Sequence, residues 1–281
     1  MQKLDRLGWA EGLALSAFGV RAGVRVNASG VLPRILTVLP PGWKKSRRVI
    51  VQRLYSLVVA QSSERAGMRR LHVLYSDSMR IARDAALDQV LAALETDLHL
   101  YIAEATSDMT FLHAGVVGWQ GRAIVLPGRS FSGKTTLVRE MLRLGATYYS
   151  DEFAVVDNFG LVHPFARPLG IRDDSSHAQT KYTASELGVA SGVKSLPMGI
   201  AVICQFETGA RWQPTPLSRG QGALELLANS VAVRSQPQQT LRRLHKLARN
   251  SLFIKGTRGE AHGVAASILN LSCARKQLET A

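Results

Sequence analysis

The stretch that most constrains this chain is Gly128-Arg129-Ser130-Phe131-Ser132-Gly133-Lys134-Thr135, which fits the spacing G-x-x-x-x-G-K-[ST]. An apolar, β-rich run, Ala123–Leu126, precedes it. Leu137, Val138, Met141 and Leu142 follow at helical steps, and Gly145 stops the helix expected over about Thr135–Leu144. The eight-residue pattern alone tolerates chance matches, so the strand before it and the helix after it are what make it specific. Glycines at both ends let the backbone curl until successive N–H groups converge on an anion. The helix adds the positive end of its dipole. Lys134 reaches the β- and γ-phosphates of a nucleoside triphosphate, and the Thr135 hydroxyl is a ligand for Mg²⁺. ATP and Mg²⁺ are therefore the expected ligands, with Gly128, Arg129, Ser130, Phe131, Ser132, Gly133, Lys134, Thr135 and Thr136 as the cradle.

That cradle needs an acid nearby, to hold the metal or to take a proton from a nucleophile. Asp151 and Glu152 are the best placed, at the end of a strand expected just after the loop's helix. On an extended chain adjacent side chains point to opposite faces, so one acid could serve the metal and the other the acceptor. Their alternative reading is a turn or helix-cap pair. His113 stands ahead of Ala114 and Gly115 on an apolar strand, where a lone histidine is more often a satisfied core residue than a catalyst.

Elsewhere the pattern is coarser. The first hundred residues read as short strands: Val20–Val26, Ile35–Leu39 and Leu71–Tyr75, with Arg48–Ala60 a further apolar-rich segment. A helix follows over about Asp88–Ala105, its stripe made by Leu91, Leu94, Leu98 and Ile102. The boundary between an N-terminal α+β region, 1–105, and a catalytic region, 106–281, is placed there. In the second region Leu112–Val117 and Ala123–Leu126 are β-rich stretches separated by the turn Gly118–Gly121, Phe153–Val156 and Gly160–His163 resemble a hairpin, and Gly199–Phe206 is a strongly apolar strand. Helices are expected over Gly222–Ser230, Pro237–Ala248 and Glu260–Leu271. Cys204 and Cys273 lack the spacing of a disulfide framework or zinc site and read as packing residues. No signal peptide or membrane span is legible, so the cytoplasm is the default.

The net charge of +14 is unevenly placed. Between Thr208 and Arg258 there are 9 basic residues against the single acid Glu225. Such a segment is either a solvated helix face or a receiver for phosphate, an acidic partner or nucleic acid. The expected helix puts Arg242, Lys246 and Arg249 on one face, with Leu241, Leu244 and Ala248 elsewhere. Aromatic residues are not interleaved with it, which ranks nucleic acid last.

Taken together, His113-Ala114-Gly115, the loop ending Gly133-Lys134-Thr135, and Asp151-Glu152 resemble the catalytic domain of HPr kinase/phosphorylase, at the same intervals and without gaps. The likeness covers about His113 to Arg172 and extends to HPr-kinase-like serine kinases that act on lasso-peptide precursors. It implies a compact α/β P-loop domain related to phosphoenolpyruvate carboxykinase, preceded here by a smaller α+β region. It also implies a kinase moving the γ-phosphoryl group of ATP to a serine or threonine hydroxyl of a peptide or protein, or to a small alcohol. Glu152 then takes the place of the base, Asp151 that of its acidic neighbour and metal ligand, and His113 helps orient the pair. Arg172 is a phosphate-side residue. Four departures stand out. Glutamate replaces the base aspartate. Gly170 stands where the family carries a metal-binding glutamate, with Asp173 or Asp174 as substitutes. Thr136 replaces an acid. The family's late catalytic arginine has no evident counterpart, although Arg234, Arg242 and Arg243 lie in the basic segment. Erosion of this kind also suits a nucleotide-sensing regulator without catalysis. The first region remains open to docking an acceptor, to homo-oligomerisation or to completing the core.

Overall fold

The computed structural model describes residues 2–60, 70–128, 132–172 and 179–279. The protein is a mixed α/β chain that divides into two compact units, Met1–Ser107 and Asp108–Ala281.

In the first unit, α1 (Gln2–Asp5) precedes β1 (Glu11–Ala17), β2 (Val20–Val26), α2 (Leu32–Leu36), β3 (Lys44–Lys45), β4 (Arg53–Val58), β5 (His72–Ser76), β6 (Met79–Asp84) and α3 (Leu87–Ala105). The strands form one sheet in the order β3-β1-β2-β4-β5-β6, antiparallel except for the β2–β4 pair. Leu91, Leu94, Leu98 and Ile102 of α3 are all buried, as their three- and four-residue spacing requires. Ile35–Leu39, expected as a strand, is not one. Pro33 sits in the first turn of α2, where its fixed φ favours a helix, and only Ile35 of that short helix is buried.

The second unit runs β7 (Thr110–Trp119), β8 (Arg122–Pro127), α4 (Lys134–Arg143), β9 (Thr147–Ser150), β10 (Phe153–Val156), β11 (Leu161–His163), β12 (Leu169–Arg172), β13 (Gln179–Tyr182), β14 (Leu196–Phe206), β15 (Thr215–Pro216), α5 (Arg219–Ala228), α6 (Pro237–Arg249), β16 (Leu252–Arg258) and α7 (Ala261–Glu279). Its main sheet has the order β11-β10-β7-β8-β14-β16-β15, with β9 also on β7. β8, β14 and β16 are parallel, so Pro127, Phe206 and Arg258 end at one edge. One core cluster joins the sheet to α4 and α7 through Ile124, Leu126, Leu137, Val138, Met141, Ile200, Ala265 and Ile268. On the opposite face a second cluster takes Val116, Val125 and Ala201 together with Leu226, Leu244 and Leu247 of α5 and α6. The alternation of β8 explains the division, because successive side chains point to opposite faces.

β7 is the spine of the arrangement. Along one edge it pairs with β8, Ala114 opposite Pro127 and Gly115 opposite Leu126. Along its other edge it pairs first with β9 and then with β10, Phe153 lying opposite His113. Gly115 has its own reason: a Cβ there would stand 2.8 Å from a Val138 methyl of α4. The helix can approach the sheet only because that atom is missing.

Candidate functional site

The site lies where β8, β14 and β16 end, the edge at which open parallel sheets bind ligands. Gly133 caps α4 with φ +79°, in the left-handed region that side chains resist. Its carbonyl accepts the first helical bond from Leu137 N at 3.2 Å and a second bond from Arg258 Nη2 at 2.9 Å. A Cβ on Gly133 would fall 2.2 Å from Arg258 Nη2. At the other end of the loop, a Cβ on Gly128 would meet Ser132 Oγ at 2.8 Å, and Gly128 N donates to the His113 carbonyl at 3.1 Å. Arg129, Ser130 and Phe131 lie outside the described residues. Thr135 is half-buried in the first turn of α4, while Thr136 is exposed.

Sequence reasoning did not find Arg258. Its side chain is 2% exposed, Nη1 donates to the Gly259 carbonyl at 2.9 Å, and the guanidinium lies 5.3 Å over the Phe206 ring. It is 125 residues from Gly133, and the crossover between parallel strands brings the two together. The only sequence trace was an arginine ending an apolar strand. Of the arginines singled out instead, Arg234 and Arg242 are exposed, and Arg243 is buried with a structural task. Its Nε donates to Asn158 Oδ1 at 2.7 Å, and Nη1 to the Met109 carbonyl and Thr110 Oγ1 at 3.2 Å each.

Asp151 and Glu152 do not sit on a continuous strand. They fill the interruption between β9 and β10, where Ser150 Oγ accepts from the N–H groups of Glu152 and Phe153. Ala114 N donates to the Glu152 carbonyl at 3.1 Å, so β7 has the acids on one edge and the start of the loop on the other. Two interstrand spacings, about 10 Å, separate these edges. Burial pushes the Asp151 carboxyl above its ordinary range, against the Tyr148 hydroxyl, Arg167 and the N–H groups of Asp151 and Gly170. The Tyr148 hydroxyl lies 3.1 Å from Asp151 Oδ1 and 2.8 Å from the Arg167 carbonyl oxygen. Glu152 instead forms an ion pair with Arg167, a second residue that sequence reasoning missed because His163–Leu169 has no periodicity. Gly170 thus enters the site through its backbone.

Lys134 faces this group. Its Nζ is 3.5 Å from Ser132 Oγ; burial lowers the ammonium pKa, while Asp151 and then Cys204 push it back up. Cys204 packs against the core cluster under α4 and α7, as expected, and burial raises its thiol pKa, opposed by Arg258 and Lys134. The His113 ring lies against Phe153, centroids 5.1 Å apart, and partial desolvation, with Lys134 nearby, lowers its imidazole pKa. Arg172 contributes backbone to the β12–β13 pair, while its side chain, Asp173, Asp174 and the side chain of Cys273 lie outside the described residues.

The donor set suits a triphosphate with Mg²⁺. A Cβ on Gly128 would crowd Ser132 within the loop and one on Gly133 would displace the bracing Arg258, the Lys134 ammonium stands at the loop, and Thr135 and Asp151 offer hard oxygen ligands. Among the described residues no group of three or more His, Cys, Asp or Glu could hold a metal ion unaided, so phosphate oxygens would have to complete its shell. No helix among the described residues is long and apolar enough to cross a membrane. Comparison with family models and with curated proteins returns no match.

Proposed function

We propose that the protein is an ATP- and Mg²⁺-dependent kinase of the HPr-kinase-like type, transferring the γ-phosphoryl group to a serine or threonine hydroxyl of a peptide or protein, or to a small alcohol. The observation that carries this reading is that β7 holds Asp151 and Glu152 along one edge and, along the other, the strand that leads into the glycine-capped helix bearing Lys134. In this reading the loop amides, Lys134 and the N-terminus of α4 hold the β- and γ-phosphates. Arg258 braces the loop from behind through the Gly133 carbonyl. Thr135 and Asp151 would hold Mg²⁺, which supplies neutralisation of the phosphate charge. Glu152 takes the proton of the acceptor hydroxyl as its oxygen bonds to the γ-phosphorus. The bond from phosphorus to the bridging oxygen breaks, and ADP leaves. Positioning and charge neutralisation supply most of the rate, since a loose phosphoryl-transfer transition state asks little covalent help.

The Arg167–Glu152 ion pair and the glycine at 170 favour a second reading, a nucleotide sensor without transfer, because the base is occupied. γ-Phosphate-labelled ATP added to a lysate of the native host, with wild type or Lys134→Ala, separates the two. The kinase gives a labelled species that depends on Lys134. Tight ATP binding with no transfer or release favours the sensor, and no magnesium-dependent ATP uptake by calorimetry removes both.

A further inference from the structure

The turn between β10 and β11 is braced more heavily than a connecting turn requires. Asp157 Oδ1 accepts from the N–H groups of Phe159 and Leu161 at 2.8 and 2.9 Å. Asn158 is held on both sides by α6: Arg243 Nε donates to its side-chain oxygen at 2.7 Å, and Lys246 Nζ to its carbonyl at 2.9 Å. Gly160, at φ +81°, sits so close to the helix that a Cβ would stand 3.1 Å from Leu247 N. What this bracing presents is Phe159, a large apolar ring 81% exposed.

Beside it runs the solvent face of α6. Arg242, His245, Lys246 and Arg249 fall at three- and four-residue steps and are all exposed, with Leu241 on the far flank, while Leu244, Leu247 and Ala248 are buried. No acid interrupts this helix. An exposed aromatic on a braced turn, beside a helix face of arginine and lysine, is the composition of an interface anchor. The ordering cost of the backbone that presents the ring has already been met by the fold.

We infer that Phe159 and the cationic face of α6 dock an acidic polypeptide that carries an apolar side chain, away from the phosphate loop. This deepens the proposed function and rests on it for one point, that the docked chain is the phosphate acceptor. β10 leaves Glu152 and runs past the loop toward the same end of the sheet, since Phe153 pairs with His113 and Val156 with Thr110. The turn therefore lies about 15 Å beyond the acids along the strand direction. An extended chain covers that in about five residues, which sets the spacing between docking segment and acceptor hydroxyl. Nucleic acid fits less well, because the surface offers a single ring and no series of stacking faces.

The test uses the full-length protein without nucleotide and a fluorescein-labelled synthetic peptide of four glutamates flanking one leucine. Fluorescence anisotropy should show binding that Phe159→Ser and Arg242→Glu/Arg249→Glu each weaken about tenfold or more, as for an anchor residue, with unchanged Tm. A peptide with glutamine in place of glutamate should not bind. Absent binding, or affinity indifferent to both variants, overturns the inference. So does tighter binding of a single-stranded RNA 20-mer or of phosphatidylserine vesicles through the same residues. Lys134→Ala should bind the peptide normally, so failure of the kinase reading and failure of docking give different results.

Discussion

Arg258→Met is the sharpest probe of how the loop is held. Methionine keeps much of the packing volume against Phe206 and removes the two donated bonds, to the Gly133 and Gly259 carbonyls, each 2.9 Å long. Gly259 is itself buried but lies outside the loop, so losing its bond costs fold stability, and the loss that bears on the loop is the bond to Gly133. A hydrogen bond from a charged group contributes about 1.5–3 kcal/mol. If that energy keeps the cradle curled for its ligand, losing it weakens nucleotide binding by about 10- to 150-fold. Isothermal titration with Mg²⁺–ATP and Mg²⁺–ADP measures this directly. Because the arginine acts on a backbone carbonyl, both nucleotides should lose affinity by the same factor. A loss confined to ATP would mean that the guanidinium touches the γ-phosphate instead, and wild-type affinity for both would refute the bracing argument. Gly133→Ala should match or exceed the effect, since it adds a left-handed backbone penalty of about 1–2 kcal/mol and drives Arg258 away.

Further outcomes follow from neighbouring residues. Asp151→Asn should raise the thermal stability of the ligand-free protein while lowering its affinity for Mg²⁺–ATP. Burial raises the Asp151 carboxyl pKa, so ionising it destabilises the fold. The stability gain should be absent below the ordinary carboxylate range, grow as pH rises from that range to the raised pKa, and level off above it, as followed by melting across pH. In the wild type, Mg²⁺-dependent ATP binding should fall on acidification at a pH above the ordinary carboxylate range, as titration calorimetry would show. Arg243→Met strips donors from Asn158, Met109 and Thr110 and should cost about 2–4 kcal/mol in urea unfolding. Gly192→Ala forces a methyl to within 2.2 Å of the Tyr149 ring and should cost about 1–3 kcal/mol by the same measurement.

The parts of this architecture that could be read from residues alone are those with a local cause. The loop's neighbours declared themselves because β8 is a short apolar run ending at a glycine and α4 repeats its apolar positions every three or four residues. The stripe on α3 was legible for the same reason. Ile35–Leu39 misled because a short apolar run carries no usable period, and Pro33 just before it starts a helix. Asp151 and Glu152 were found by residue type, but their setting was not, since a break between two strands paired to one neighbour has no local signature. Arg258 and Arg167 act across gaps of 125 and 15 residues, and only sheet order and loop path bring them in.

The shared strand β7 has a consequence for any chemistry done here. Enzymes that clamp a substrate between lobes can alter the gap between donor and acceptor groups by swinging about a hinge. In this unit the anion cradle and the carboxylates hang from opposite margins of a single ribbon, locked by main-chain bonds on either side. The ribbon cannot shorten, so under the proposed function the span is bridged by what arrives: the length of the phosphate tail and the reach of an incoming hydroxyl.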